Sequence, residues 1–307
     1  MEEVNQTSSG SFILLGLSDV LNLQVICFLV FLVMYIMTLS GNLLLIIVVR
    51  INPKLQTPMY FFLSNLSFID ICFSTTIIPR ILISTLTKDR SISLLACAVQ
   101  IFFHLGLGST ECFILAVMAY DRYAAICRPL HYNIIMNKTL CISLAMGSWG
   151  ISFVNSAIHV VLTFQLPFCK SHHVNHFYCE IPPLLRLSCR DTLRNEIATY
   201  ISAGIIAMCS FCLTLTSYVH IISTILKIRS SQGRHKAFST CASHLTVVVL
   251  YYGTIMSIYL RPRSTYSPEI HRTMSIIYTI VTPMLNPVIY SMRNKDVKNT
   301  VRRKQAN

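Results

Sequence analysis

The sequence predicts an all-α membrane protein: a seven-transmembrane helix bundle with a short amphipathic C-terminal helix. Three observations carry that expectation. Of the 307 residues, 53% are hydrophobic and only 12% are charged, whereas a soluble domain carries about 25% charged residues. The apolar residues fall into long runs, each with the roughly 20 residues that a helix needs to cross a bilayer. The charges between the runs are distributed unequally. With the N-terminus outside, the inner side holds 15 Lys/Arg against Asp121 and Asp296, and the outer side holds 10 basic against 8 acidic residues. That is the positive-inside pattern. The same placement argues against a nucleic-acid partner despite the net charge of +13, because no folded basic face is left to build one.

Taken in order, residues 1–22 form an outer tail. Its start, MEEVNQTSSGSF, is polar and acidic, so no cleavable leader is expected. Asn5-Gln6-Thr7 is a glycosylation sequon in a compatible place. The matches at Asn65 and Asn137 fall in a span and on the inner side, and are rejected. Val25–Val49 is the first span. Gly41 permits close helix approach there, and Asn42 needs a hydrogen-bond partner in hydrocarbon. Pro58–Leu86 holds the second span, with Asp70 inside it, and Ile92–Ile126 the third, with Glu111 nearly as deep. Two intramembrane acids without an intramembrane Lys or Arg are costly. Either they share a cation, or one is protonated and bonded to Asn42 or Asn286.

Thr139–Leu166 is the fourth span, and Trp149 within it reads as packing. Residues 167–195 form a loop much longer than a hairpin requires, a length that commonly carries function. Cys97, Cys169, Cys179 and Cys189 share the outer side and allow three pairings. His172, His173, His176, Cys179 and Glu180 crowd together in SHHVNHFYCE, but a cysteine in this setting is expected to be oxidised, so no metal site is expected there. Ile197–Leu226 is the fifth span. After a short inner loop, SSQGRHK, Ala237–Leu260 is the sixth. Ser239, Thr240, Ser243 and His244 in its inner half are too polar for lipid and should face inward. Ile270–Met292 is the seventh, where Pro287 should kink or loosen the helix next to Asn286. Residues 293–307 form a basic cytoplasmic tail whose scattered apolar residues suit a short helix on the anionic inner leaflet, or else a disordered segment. No Ser/His/Asp set, HExxH or phosphate loop appears, so no enzyme is expected.

The third run ends in MAYDRYAAICRPLHY, residues 118–132. An acid beside an arginine at a membrane boundary reads either as a pair awaiting a partner or as an interfacial anchor. Together with PMYFFLSNLSFIDICFS at 58–74, KAFSTCASHLTVV at 236–248 and PMLNPVIYSMRNK at 283–295, this stretch resembles the odorant receptors, in their larger tetrapod-type division, within the rhodopsin-like G-protein-coupled receptors. Ala124 stands where the family usually has valine. The resemblance implies bridges Cys97–Cys179 and Cys169–Cys189. It also implies a buried sodium or proton site at Asp70 and Glu111, with no other cofactor.

A receptor of this kind implies a ligand pocket between helices three, five, six and seven. At helical spacing the candidates are His104, Leu105, Gly108 and Ser109, then Ser202, Ala203 and Ile206, then Tyr252, Ile255, Met256 and Tyr259, and finally Ser275, Ile276 and Thr279. They are mostly apolar and suit a small, largely hydrophobic odorant. Many relatives carry a histidine where this chain has Leu105. Here it is His104, turned about 100° around the helix. The resemblance further implies a switch made of Asp121, Arg122, Tyr123, Tyr218, His244, Asn286, Pro287 and Tyr290. In that switch, ligand contact at Tyr252 and Tyr259 moves helix six, and Arg122 leaves Asp121 to engage a stimulatory, olfactory-type G protein. Adenylyl cyclase activation, membrane lipids as neighbours and ciliary plasma membrane are implied in the same way. An amine or peptide receptor is the nearest rival, but an amine receptor would place an acid nearer the outer end of helix three. A transporter or channel would show repeated halves or a charged pathway, and neither is visible.

Overall fold

The computed structural model describes residues 11–15, 21–87, 89–169, 172–259 and 268–292. The sequon at Asn5 and the tail from Arg293 lie outside them. Seven long helices form the bundle: α1 (Leu21–Ile51), α2 (Pro58–Thr87), α3 (Leu94–Cys127), α4 (Lys138–Phe164), α5 (Leu193–Leu226), α6 (Ser231–Tyr259) and α7. The last runs from Pro268 to Ile276, passes through a π-helical turn at Ile277–Val281, and ends as Thr282–Met292. Six are long and apolar enough to cross a membrane, and α6, bent by 41° around residue 240, is a seventh when its two halves are taken as one span. Side chains such as Val25, Leu29, Val33, Ile151, Val154, Ile201 and Ile205 point outward from α1, α4 and α5, as lipid contact requires.

α3 is the central pole. Buried residues make up 72% of its most apolar stretch, against 28% in α1, α4 and α5. It starts at Leu94 rather than Ile92, because the Ser93 hydroxyl caps it by accepting from the Ala96 amide at 3.2 Å. Ile92 instead belongs to a small sheet. Strand β1 (Ser11–Leu14) pairs antiparallel with β2 (Ser91–Ser93) and parallel with β3 (His173–Val174). Phe12 and Leu14 alternate inward from β1, the period of a half-buried strand. They pack with Ile101, Val174 and Leu184. This end also carries the bridges Cys97–Cys179 and Cys169–Cys189, with Cα atoms 5.4 and 5.7 Å apart. We call it the disulfide end.

One expectation from the sequence changes. SSQGRHK does not form a loop before α6. Ser230 accepts from the Gly233 amide at 3.0 Å, and the segment starts the helix. The rejected sequons have structural work. Asn137 caps α4 through the Leu140 amide at 2.9 Å, and Asn65 accepts from Trp149 Nε1 at 3.3 Å across α2 and α4.

The seventh helix shows how the bundle tolerates proline. Pro287 has no amide hydrogen for the carbonyl of residue 283. Asn42 of α1 supplies one instead, with Nδ2 3.0 Å from the Pro283 oxygen. It can reach because Gly41 next to it lies against the Pro287 ring; a β-carbon there would meet Pro287 Cγ at 3.0 Å. The departure from α-geometry therefore falls one turn before Pro283, not at Pro287. There the Thr282 amide and hydroxyl both reach the Ile277 carbonyl.

Asn42→Leu should strand that carbonyl in hydrocarbon. A cost of about 1–3 kcal/mol is expected, read as a lower unfolding midpoint of the purified chain in lipid nanodiscs. An unchanged midpoint would show that another donor takes over.

Candidate functional site

A cavity of about 50 Å³ lies halfway along α3 toward the disulfide end. It is lined by His104, Leu105, Gly108, Ser109, Cys112, Asn155, Ala203, Ile206, Ala207, Ile255 and Tyr278. The α3 members recur every three or four residues, the period of one helical face. Leu105, Ala203, Ile206, Ala207 and Ile255 form its aliphatic part, and Ser109 and Asn155 add polar groups. His104 is its best-placed polar group. It is 7% exposed and packed between Phe73, Tyr178 and Tyr278, with centroids 5.1, 5.0 and 6.2 Å away. Its Nε2 finds no hydrogen-bond partner among the described residues. Gly108 admits the Tyr278 hydroxyl, which a β-carbon at that position would strike.

The lining includes seven of the residues singled out from the sequence and leaves out the others. Ser202 turns toward α4, where its hydroxyl pairs with His159 Nε2 at 2.7 Å. Tyr252 is buried, with its hydroxyl donating to the Cys112 carbonyl at 3.2 Å. Met256 and Ile276 pack against the main core. Thr279 donates to the Ser275 carbonyl at 2.6 Å, and Ser275 is buried outside the lining. The Tyr259 side chain lies outside the described residues. α7 contains a π-turn next to the expected positions. It spans Ile277–Val281, and Tyr278 within it takes the wall. Cys112 is one turn beyond Gly108 and was reachable by extending the same spacing. Asn155 and Ala207 carried no separate signal.

α6 is fastened to α3 at two levels. Beside the cavity, the Tyr251 hydroxyl donates to the Gly108 carbonyl at 2.6 Å. Nearer the opposite end, His244 lies 3.1 Å from the Leu115 carbonyl through Nε2 and 2.7 Å from the Tyr218 hydroxyl through Nδ1. A carbonyl can only accept, so Nε2 carries the proton and Nδ1 accepts from Tyr218. His244 thus joins α3, α5 and α6 while fully buried. Ser243 beside it donates to the Ile289 carbonyl of α7 at 3.0 Å. Ser239 is exposed, so only part of the polar set faces inward.

The expected Asp121–Arg122 pair does not form. Asp121 Oδ1 accepts from the Tyr132 hydroxyl at 2.7 Å. Consecutive helix residues diverge by about 100°, and the phenol approaches on the side that Arg122 does not. Burial, followed by the charge of Asp121, pushes the Tyr132 hydroxyl pKa well up, so it stays a donor. Asp121 Oδ2, Arg122 Nε and the Tyr290 hydroxyl are buried without hydrogen-bond partners among the described residues. Tyr123 is half-buried, with its ring near Tyr120 and His220. In mid-bundle Asn286 Nδ2 spans both oxygens of Asp70 at 3.1 and 3.0 Å. Asn42, the other candidate for this role, is committed to Thr38 and Pro283. Glu111 Oε1 is buried and unpaired among the described residues.

Residues 31–306 match the sequence profile described as olfactory receptor. The chain is 50% identical over 294 residues to the olfactory receptor-like protein OLF3 of Canis lupus familiaris, covering 96% of this chain and 93% of that protein. It is 46% identical over 301 residues to olfactory receptor 5F1 of Homo sapiens, covering 98% and 96%. It is 49% identical over 303 residues to olfactory receptor 5AP2 of Mus musculus, covering 99% and 96%.

His244→Phe keeps a ring but removes both bonds of the lower latch. Each is a buried bond whose loss costs about 1–3 kcal/mol. Amide exchange across Ser239–Leu245 should therefore rise about tenfold or more, while exchange around Tyr251 changes little. Unchanged protection in both places would show that packing alone holds α6.

Proposed function

This chain belongs to the olfactory receptor family, and from that premise we propose that it detects a small, largely hydrophobic volatile compound and signals through a stimulatory, olfactory-type G protein to raise cyclic AMP. As a member it is a multi-pass membrane receptor that couples odorant binding to a G protein, and it is not an enzyme. The proposal adds the ligand class, the G-protein type and the placement. The disulfide end faces outside the cell, and the opposite end, with Arg122, faces the cytoplasm. The setting is the ciliary plasma membrane of sensory neurons. The positive-inside charge pattern supports that orientation.

The observation that carries the ligand class is the cavity itself. Its wall is mainly apolar, with Ser109, Asn155 and one buried imidazole nitrogen, His104 Nε2, that no protein group occupies among the described residues. A ligand with one acceptor or donor and an otherwise apolar body would satisfy that atom and remove apolar surface from water. A volume of about 50 Å³ holds only a few heavy atoms, so binding must move wall residues. Ile255 is the natural one to yield, because it belongs to α6. Contact there would compete with the Tyr251 bond to Gly108 and bias α6. Only a ligand that binds the displaced arrangement more tightly could activate. Release of the His244 latch would then open the opposite end. Arg122, Tyr218 and Tyr290, with Tyr123 at the rim, would there meet the G protein.

Membrane lipids are part of the proposal. A groove of about 790 Å³ between α1, α2 and α4 presents Phe61, Phe68 and Ile142 with Arg50 and Lys138, suited to an acyl chain and an anionic headgroup. A sodium ion or a proton shared by Asp70 and Glu111 is likewise proposed, on the ground that two buried acids there face one amide and no base.

Two measurements test this reading. Cyclic AMP should rise in cells expressing the chain with an olfactory-type stimulatory G protein when a broad odorant panel is applied. Arg122→Ala at equal surface level should lower the response about a hundredfold or to background, since it removes a charge the coupled state requires. Normal signalling by Arg122→Ala would refute its role. For the acids, raising external sodium should shift agonist potency in wild type and not in Asp70→Asn. Indifference in both would leave the proton as the shared cation.

A further inference from the structure

Three polar side chains with hydrogen-bonding nitrogen or oxygen line the cavity: His104, Ser109 and Asn155. None of them makes a hydrogen bond to another described residue. Their neighbours behave differently. Thr110, next to Ser109, donates to the Gly106 carbonyl at 2.7 Å. On α4, Ser156 donates to the Phe102 carbonyl of α3 at 2.7 Å, His159 pairs with Ser202 at 2.7 Å, and Thr163 donates to the His159 carbonyl. A polar group in hydrocarbon is costly without a partner. Three uncommitted ones around a single cavity mark a place where the partner comes from outside the protein. They do not sit at one point. His104 faces Phe73, Tyr178 and Tyr278, toward α2, the long loop and α7. Ser109 is five residues further, about 140° around α3 and about 7.5 Å along it. It shares a face with Leu105, which packs against the same hydrophobic cluster as Val160 and Phe164 of α4. Ser109 therefore belongs to the α4 side of the cavity, with Asn155.

We propose that Ser109 and Asn155 form a second polar anchor of the cavity, which takes an uncharged hydroxyl group of the ligand while His104 takes another oxygen function. The inference rests on the odorant reading above. It narrows that reading to neutral volatile compounds with two oxygen functions, one of them a hydroxyl.

Donor and acceptor chemistry selects the hydroxyl. The Asn155 amide has an oxygen that accepts and a nitrogen that donates, and the Ser109 hydroxyl does both. A ligand hydroxyl can donate to Asn155 Oδ1 while it accepts from Ser109 or from Asn155 Nδ2. An ether or ketone oxygen only accepts, so it cannot answer the amide oxygen. No Asp, Glu, Lys or Arg lines the cavity, so a carboxylate or ammonium group would leave water without a counter-charge. A hydrocarbon would cover three polar side chains and satisfy none. Asn155 is half-buried and has no protein hydrogen bond to break when it turns to a ligand. On the α5 side, Ala203, Ile206 and Ala207 add only apolar side chains, which leaves the hydroxyl no competing partner there.

The test compares matched pairs of compounds in cells expressing the full chain with an olfactory-type stimulatory G protein, and reads cyclic AMP. Each pair is a hydroxyketone or hydroxyether and its O-methyl derivative, such as acetoin and its methyl ether, or guaiacol and veratrole. Alkanes, carboxylic acids and amines of similar size complete the panel. Methylation removes the donor and keeps both oxygens. In wild type the hydroxyl compounds should be about tenfold or more as potent as their methyl ethers. Asn155→Leu should erase that ratio by weakening the hydroxyl compounds alone. Leucine is close to asparagine in size, so a ratio due to methyl bulk would persist in the variant, and that result overturns the anchor. A merely structural loss would weaken both members of a pair alike and leave the ratio, which also overturns it, as does equal potency within pairs in wild type. Ser109→Ala removes the other half of the anchor without adding bulk. It should lower the same ratio, and it decides the matter if Asn155→Leu does not reach the surface; an unchanged ratio there counts against the proposal in full. A wild type that answers only to alkanes, acids or amines overturns the anchor and leaves the odorant reading standing. Silence of surface-displayed wild type to every compound overturns both.

Discussion

A polar group inside a bilayer has no water to fall back on, so each must find its partner within the bundle. Most of this architecture follows from that requirement. Hydroxyls along the helices mostly fold back onto their own backbone: Thr38 to Met34, Ser64 to Tyr60, Ser210 to Ile206, Thr214 to Ser210. Such bonds cost nothing in helix packing. The larger amides do the joining. Asn42 links α1 to the carbonyl that Pro287 leaves without a donor. Gln100 gives Nε2 to the Thr76 carbonyl of α2 and takes the Cys179 amide on Oε1. Asn286 spans the carboxylate of Asp70. Each ties elements that hydrophobic packing alone would leave able to slide, since lipid competes equally for apolar side chains.

These ties converge on α3. Along one helix, Cys97 and Gln100 hold the loop, His104 to Cys112 wall the cavity, the Leu115 carbonyl receives His244, and Asp121 receives Tyr132. A side-chain shift at the cavity therefore acts against the same rigid body that anchors the opposite end. In the proposed switch α6 is the moving counterpart, because its side-chain bonds to α3 are few among the described residues. Tyr251, Tyr252 and His244 supply them, and the span from 244 to 251 is about 10 Å.

The helices, their order and the identity of the bundle were legible in the sequence because they rest on hydrophobic run length and on motif wording, both local properties. So was the α3 face of the cavity, since 3.6-residue spacing holds along an unbroken helix. The misses have a common cause in backbone events that the side-chain pattern does not announce. On α7 Tyr278, within the π-turn, lines the cavity where Ser275 and Thr279 were expected. Ser230 converts an anticipated loop into the start of α6. Asp121 turns to Tyr132, eleven residues away, rather than to its neighbour. The relation of Asn155 to Ser109 was out of reach, because 46 residues separate them and only the folded chain brings them to one cavity.

The exceptions to the opening constraint are more informative than its fulfilment. Buried polar atoms without partners among the described residues are costly in hydrocarbon. Here they include His104 at the cavity, Glu111 between the helices, and Asp121, Arg122 and Tyr290 at the opposite end, along with Arg80, Ser152, Ser275 and the Oδ1 atoms of Asn42 and Asn286. A bundle that satisfies its proline-freed carbonyl with an amide from another helix has not left these atoms bare for want of donors. Unpaired groups at both ends of α3, with latches between them, describe an arrangement that is complete in its scaffold and incomplete at its two working surfaces. In the proposed function those atoms gain hydrogen bonds when a ligand or the G protein binds and α6 moves. On that reading the two ends would be coupled without a continuous chain of contacts between them.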